Sequence, residues 1–250
     1  DVTEIKQNEL ALRESEHQHH EILETRTELV FRCLPDFTLV FVNEKFCQFF
    51  KTAKKDLIGR KFVPEMAVED QKAMNDFFNY LKPENPAQTR EIRLVSKDGT
   101  IRWTRWNIFG IFKEDGSLTA FQGSGRDITR EVNADELIRK KASETDGKDD
   151  AIIALNFSHR IIFWNHAAEK LYGWSASEII RQHIHQYTFL GIHNMPKTEL
   201  HAMHAHLFRH GVWRGEMMHR NKSGDEIWVD MSLFLVRDEE SKTIGVIAIS

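Results

Sequence analysis

The chain has 250 residues and a mass of 29.3 kDa, room for one large or two modest domains, and 41% hydrophobic residues suffice for buried cores. Lys and Arg total 34 against 38 Asp and Glu, a formal charge of -4 that argues against nucleic acid or anionic membrane as electrostatic partners. Cys33 and Cys47 make neither a disulfide framework nor a C-x-x-C site, and no apolar run nears the roughly 18 residues needed to span a bilayer.

The polar, acidic start Asp1-Val2-Thr3-Glu4 is unlike a signal peptide, so a soluble, cytoplasmic chain is expected. Residues 1–27 read as a polar helical linker opened by a capping box of Asp1 and Glu4. Ile5, Leu12, Ile22 and Leu29 fall on heptad core positions while Asn8, Ser15, His19 and Arg26 take the others, the half-apolar seam of a weak coiled coil. Strands are expected over Val30 to Leu34 and Leu39 to Val42 around the turn Pro35-Asp36-Phe37-Thr38. Intermittent helix follows from Glu44 to Leu81, stopped by Pro83 and Pro86. Three strands come next, Thr89 to Ser96, Thr100 to Phe112 and Leu118 to Gly123, with Lys97-Asp98-Gly99 and Glu114-Asp115-Gly116 as turns.

A connector helix over Arg130 to Ala142, capped by Asp127 or Thr129, leads into a break at Ser143 to Asp150. The order then repeats: a hairpin of Ala151 to Leu155 and Arg160 to Trp164, and helices over His166 to His210. Closing strands follow at Val212 to Arg220, Glu226 to Val236 and Thr243 to Ile249. Lys97-Asp98-Gly99-Thr100-Ile101-Arg102-Trp103 is echoed by Lys222-Ser223-Gly224-Asp225-Glu226-Ile227-Trp228, offset 228 − 103 = 125. Leu39-Val40-Phe41-Val42-Asn43 is echoed by Ile161-Ile162-Phe163-Trp164-Asn165, offset 165 − 43 = 122. Asp127-Ile128-Thr129 echoes Asp1-Val2-Thr3, so the start reads as the close of a further copy. A spacing this constant describes a duplicated domain rather than a solenoid. Strand alternation puts Ile227, Val229, Met231, Leu233 and Leu235 inward and Trp228 outward, with Trp103 outward likewise, needing cover from a linker helix or a second subunit.

The hairpins ending in Asn43 and Asn165, the short central helices, the Lys-Asp-Gly-Thr-Ile-Arg-Trp hairpin and the Asp127-Ile128-Thr129 close together resemble tandem PAS domains. The resemblance implies an α+β fold of two five-stranded antiparallel sheets, each with short helices on one face. It implies domains at 28–130 and 149–250, and helical linkers at 1–27 and 131–148. It also implies a sensory and dimerisation module: a homodimer that relays ligand or redox state through its linkers. The effector would lie elsewhere in the same polypeptide, a histidine kinase or a cyclic-di-GMP cyclase or phosphodiesterase. A ligand-free relay and interaction spacer is the alternative.

Eight of 13 histidines fall between positions 183 and 219. With Leu200, Met203 and Leu207 on one helical face, His204 and His210 border it and His201 and His206 point farther out. His204 and His210 stand where haem-binding members of the family place an iron ligand. Gly211-Val212-Trp213-Arg214-Gly215-Glu216 resembles the strand entry of FAD-binding members, with His219 where those use Asn, so Trp213 and His219 join the candidates. Filling by Phe189, Met203, Leu207, Phe208, Met217, Met231 and Leu233 would instead leave the second pocket closed. In the first, Arg102 and Thr104 are placed to meet a polar ligand, and Trp106 fills the core. No HExxH or Cys-paired spacing marks a zinc site, and no phosphate loop, nucleophile elbow or kinase signature marks an enzyme. His159 sits in a hairpin turn, not on the helix that a phosphoacceptor histidine needs.

Overall fold

The protein is described by a computed structural model covering residues 27–96, 99–147, 149–186 and 195–250. Its chain divides into two units between Thr129 and Arg130. The reading of residues 1–26 as a capped, coiled-coil linker lies outside the described residues. Leu29 does not join such a seam: it opens a strand and is buried, because its side chain alternates into the core of the first unit.

In the first unit β1 (Leu29–Cys33) and β2 (Leu39–Val42) form the opening hairpin. Three short helices follow, α1 (Glu44–Phe50), α2 (Lys54–Leu57) and α3 (Val68–Asn79). The strands β3 (Ala87–Val95), β4 (Ile101–Phe112) and β5 (Leu118–Asp127) complete an antiparallel sheet of order β2-β1-β5-β4-β3. Along β4, Thr104, Trp106, Ile108 and Gly110 are buried while Arg105, Asn107 and Phe109 are exposed, the period of two that one covered face imposes. Gly123 and Gly125 of β5 give the rings of Phe31 and Trp106 room, since a methyl at either glycine would run into them.

α4 (Thr129–Glu144) follows β5, and the second unit repeats the plan with β6 (Ile152–Asn156), β7 (Ile161–Trp164), α5 (His166–Tyr172), α6 (Ala176–Ile179) and α7 (Lys197–His210). β8 (Val212–Arg220), β9 (Glu226–Arg237) and β10 (Thr243–Ile249) close an antiparallel sheet of order β7-β6-β10-β9-β8. Each copy is therefore an α+β fold with helices against one sheet face.

Asn43 and Asn165 hold equivalent corners. Asn43 Oδ1 accepts from Val30 N and Phe46 N, both at 3.0 Å, and Nδ2 donates to Glu28 O at 2.8 Å. Asn165 Oδ1 accepts from Ile152 N and Ala168 N at 2.9 Å, and Nδ2 donates to Asp150 O at 2.8 Å. One buried amide thus caps a helix and ties the opening strand to it.

The second connector is more than a polar spacer. Its Ile138 and Ala142 are fully buried against Ile152, Ala154, Ile162, Val236 and Ile247 on the outer face of the second sheet. Leu137 and Ala134 flank them, so a stripe at helical spacing supplies part of the cover that an apolar outer face requires. Trp228 remains 74% exposed. Trp103 is half-buried, with the Arg93 guanidinium 5.7 Å from its ring.

Candidate functional site

Between the helices and sheet of the first unit lies a cavity of about 420 Å³, within the roughly 300–1,000 Å³ of small-molecule sites. The sheet contributes Phe31, Ile92, Trp106 and Ile108; α1 contributes Phe46 and Phe50; α3 contributes Met74 and Phe78. Rings meet edge-on and tilted around it: Phe46–Phe50 at 4.6 Å, Phe50–Phe62 at 4.9 Å and Phe31–Trp106 at 5.5 Å. Such rigid side chains meet at edges and cannot collapse to fill the space as a chain of aliphatics would. α3 is pinned over the cavity by Asp70, which accepts from Arg93 N at 2.9 Å and pairs with its guanidinium at 2.9 and 3.1 Å. These hydrogen bonds hold the Asp70 carboxyl below the usual carboxylate range.

The polar groups expected to greet a ligand here are spent within the fold. Thr104 Oγ1 donates to Ile92 O at 3.2 Å and accepts from Trp106 Nε1 at 2.9 Å. Arg102 pairs with Asp127 at 3.1 Å and lies over the Phe49 ring at 5.5 Å. Trp106 is core, as its alternation predicts. Cys33 lines the cavity, and burial pushes its thiol up to about 11, so it is a neutral wall rather than a nucleophile. The walls are mainly apolar and aromatic, with Glu65 and Gln71 also in the lining, and suit an uncharged, largely apolar molecule.

The second unit is built differently inside. Met203 of α7 packs with Met217, Met231, Trp164 and Tyr172, with Leu233 partly buried beside them, and Leu207 is buried. Phe208, a candidate filler, is instead 54% exposed, because α7 turns Met203 and Leu207 to the core and position 208 away from it. Phe189 lies outside the described residues. His204 and His210, with His201 and His206, are exposed on α7. Trp213 is half-buried on the inner face of β8, its ring over Gly215, where a methyl would collide with it.

His219, on the same face, is 1% exposed, and its Nδ1 lies 2.8 Å from the buried Tyr172 hydroxyl. Its Nε2 is the buried polar atom without a partner among the described residues. Burial alone drives its pKa down to about 4, and burial lifts the Tyr172 hydroxyl to about 12. Among the described residues the α7 histidines are exposed, and Tyr172, Met203, Met217 and Met231 are packed in the core. The structure thus brings Trp213 and His219 together on one strand face and leaves His204 and His210 outside it.

For the first pocket, sequence reasoning looked to the polar Arg102 and Thr104 and missed the aromatic walls. A signal was present: 12 of the 17 phenylalanines lie in the first 130 residues. Asp127, Ile128 and Thr129 form a hydrogen-bonded corner at the end of β5. Thr129 Oγ1 accepts from Trp103 N at 3.0 Å, Thr129 N donates to Asp127 Oδ1 at 2.9 Å, and Ile128 is buried.

Comparison with known proteins matches this architecture. The family model described as PAS domain fits residues 27–130 and again 149–250. A relative named two-component sensor PprA, from Pseudomonas aeruginosa, is 28% identical over 129 residues, 52% of this chain. The oxygen sensor protein DosP of Escherichia coli is 25% identical over 150 residues, 60% of this chain. The matched stretches span only 14% and 18% of those relatives. Among solved structures, a PAS domain from Colwellia psychrerythraea is 24% identical over 44% of this chain and 91% of its own, with a TM-score of 0.39. One from a Haloarcula marismortui HTR-like protein is 19% identical over 49% of this chain and 99% of its own, with a TM-score of 0.37.

Proposed function

The chain belongs to the PAS domain family in two successive copies, and from that premise we propose that it is a sensory module whose first copy takes up a small, uncharged apolar molecule. The cavity of about 420 Å³ walled by Phe31, Phe46, Phe50 and Trp106 carries this reading. Burying an apolar ligand there gains roughly 25 cal/mol per Å² removed from water. The sensory role is supported by the relatives, one named a two-component sensor and the other an oxygen sensor. Occupancy would bias α1 and α3 against the sheet, and the Asp127–Thr129 corner offers the exit toward α4. Relay then proceeds to an effector in the same polypeptide, a histidine kinase or a cyclic-di-GMP enzyme, in a cytoplasmic homodimer.

For the second copy the ligand-free relay is favoured, because Met203, Leu207, Met217, Met231 and Tyr172 are all packed in its core. The test is a thermal-shift screen of the chain against neutral aromatic compounds, with mass spectrometry of the supernatant released by heating. A stabilising compound whose effect disappears in Met74→Trp, which fills the cavity from α3, supports the reading. No released molecule and no stabilising compound, or stabilisation that survives Met74→Trp, would defeat it.

A further inference from the structure

We propose that Arg93 couples the filling of the first unit's cavity to the corner Asp127-Ile128-Thr129, acting as a positioning residue between α3 and Trp103. Such coupling rests on the cavity being the sensory site and supplies the means by which its occupancy is read. α3 contributes Met74 and Phe78 to the cavity wall, yet its first turn has no side-chain cap at Ala67. The N–H groups at a helix start need partners from elsewhere. Arg93 of β3 meets this turn with its carbonyl, its N–H and its guanidinium. The carbonyl accepts from Ala67 N at 3.2 Å, and the N–H donates to Asp70 Oδ2 at 2.9 Å. The guanidinium holds both carboxylate oxygens of Asp70, at 2.9 and 3.1 Å, and Glu69 at 3.2 Å. The Arg93 and Asp70 side chains are 30% and 20% exposed, so solvent screens this pair less than a fully exposed one.

The same side chain also meets the strand that holds the corner. Arg93 faces Trp103 across β3 and β4, and its guanidinium lies 5.7 Å from the centre of the ring, within cation–π range. Trp103 grips the chain beyond β5 through its backbone. Its N–H donates to Thr129 Oγ1 at 3.0 Å, and its carbonyl accepts from Ile128 N at 2.9 Å. Contact thus runs from a helix that walls the cavity, through Arg93 and Trp103, to Ile128 and Thr129, all within the first unit.

Side chains that border open space have no facing atoms there and forfeit dispersion contact on that side. Filling the cavity gives Met74 and Phe78 those partners and holds α3 more firmly. Asp70 and Glu69 then stay on Arg93, and the guanidinium stays over Trp103. The bonds from Trp103 to Ile128 and Thr129 open less often as a result. Occupancy reaches the corner only through this difference in how tightly Arg93 is held in the two states.

Met74→Trp fills the cavity from α3 without any ligand, with Met74→Phe as the milder filler should the larger ring prevent folding. The readout is hydrogen exchange followed by NMR at two amides. One is Ile128 at the corner; the other is Phe46, which donates to Asn43 Oδ1 at the start of α1. Met74→Trp should slow both by about threefold or more. With Arg93→Gln added, Phe46 should keep its slowing, whereas that of Ile128 should fall below about 1.5-fold. Asp70→Asn replaces Arg93→Gln if the latter does not fold, since its amide oxygen can still accept from Arg93 N while the ion pair is lost. Arg102→Gln is the control for a merely structural role, because Arg102 pairs with Asp127 at 3.1 Å and overlies Phe49 of α1. There Ile128 should exchange faster yet still be slowed by Met74→Trp. An Ile128 amide indifferent to Met74→Trp, a slowing that survives Arg93→Gln, or one lost equally with Arg102→Gln would overturn the proposal. Each of those results leaves the cavity standing as a ligand site, which is decided separately by the compound screen.

Discussion

Replacing His219 by Gln is expected to flatten the acid side of the second unit's stability profile. The native imidazole is 1% exposed with Nε2 unpartnered, and burial takes its pKa from 6.5 down to about 4. In the unfolded chain the same group titrates near its ordinary value of about 6.5. Between those values the unfolded chain binds more protons than the folded one, so lowering the pH favours unfolding. Above 6.5 the ring is neutral in both states and contributes no pH dependence; below 4 it is charged in both and the loss is complete. At about 1.4 kcal/mol per pKa unit, about 2 kcal/mol disappears between pH 7 and 5 and about 3 kcal/mol in all. Gln cannot titrate, yet its amide can still meet the Tyr172 hydroxyl. The assay is urea unfolding of native chain and variant at pH 7, 6 and 5, where most carboxylates stay ionised. Glu178, for instance, is held down to about 2, chiefly by Lys222 at 2.7 Å. His219→Gln should cost about 1 kcal/mol at pH 7 and be the more stable of the two at pH 5. An equal slope in both proteins would refute the argument, because the slope would then belong to other groups.

Asn43→Ala and Asn165→Ala each strand two backbone N–H groups now bound by Oδ1 at 2.9–3.0 Å. Each should cost about 3 kcal/mol in its own unit, read as a lowered urea midpoint for one transition and not the other. Gly245→Ala would press a methyl onto the backbone oxygen of Leu155 and onto Ile138 Cδ1. Because a backbone atom cannot turn aside, about 1–3 kcal/mol should be lost from the second unit, with faster hydrogen exchange along α4. Trp228→Glu should leave stability within about 0.5 kcal/mol while lowering the mass seen by light scattering, the expected result if this exposed ring closes a homodimer.

The sheets were legible because period-two patterning and glycine turns are local, and the repeat supplied each copy with a second reading. Trp228 shows how far that reaches: alternation with Val229 and Met231 was enough to put it outside. The helices were less legible. The 3.6-residue period found the Leu200, Met203 and Leu207 stripe, yet could not say which flank of it meets the sheet, and His204 and Phe208 fell on the solvent side. The polar composition of α4 hid a narrow stripe of Ile138 and Ala142 that only the apolar outer sheet face makes sense of. The cavity was invisible for another reason. Its walls are ordinary core residues, and whether aromatic rings leave space between them depends on angles such as the 64° between Phe46 and Phe62, which no pattern of residue types records.

The two copies differ at one pair of equivalent positions. Leu94 faces Arg102 across β3 and β4 as His219 faces Ile227 across β8 and β9, both with offset 125, and Phe50 closes α1 as Tyr172 closes α5, with offset 122. Where the first copy has the apolar Phe50 and Leu94, the second has the hydrogen-bonded Tyr172 and His219. A lone buried donor or acceptor is costly, whereas exchanging both partners for apolar groups of similar shape is nearly neutral. Tyr172→Phe takes from His219 its 2.8 Å partner, leaving both ring nitrogens unpaired, and should cost about 2 kcal/mol. His219→Leu should cost about 1 kcal/mol, since Tyr172 keeps the Ser250 hydroxyl at 3.4 Å. The double replacement restores the first copy's pair, so its cost should fall below that of Tyr172→Phe alone, a coupling of 1 kcal/mol or more. Additive costs in this cycle would mean that the two groups are independent. The second copy's buried polar pair would then be two separate accommodations, and the contrast between the two cores would have to rest on packing volume alone.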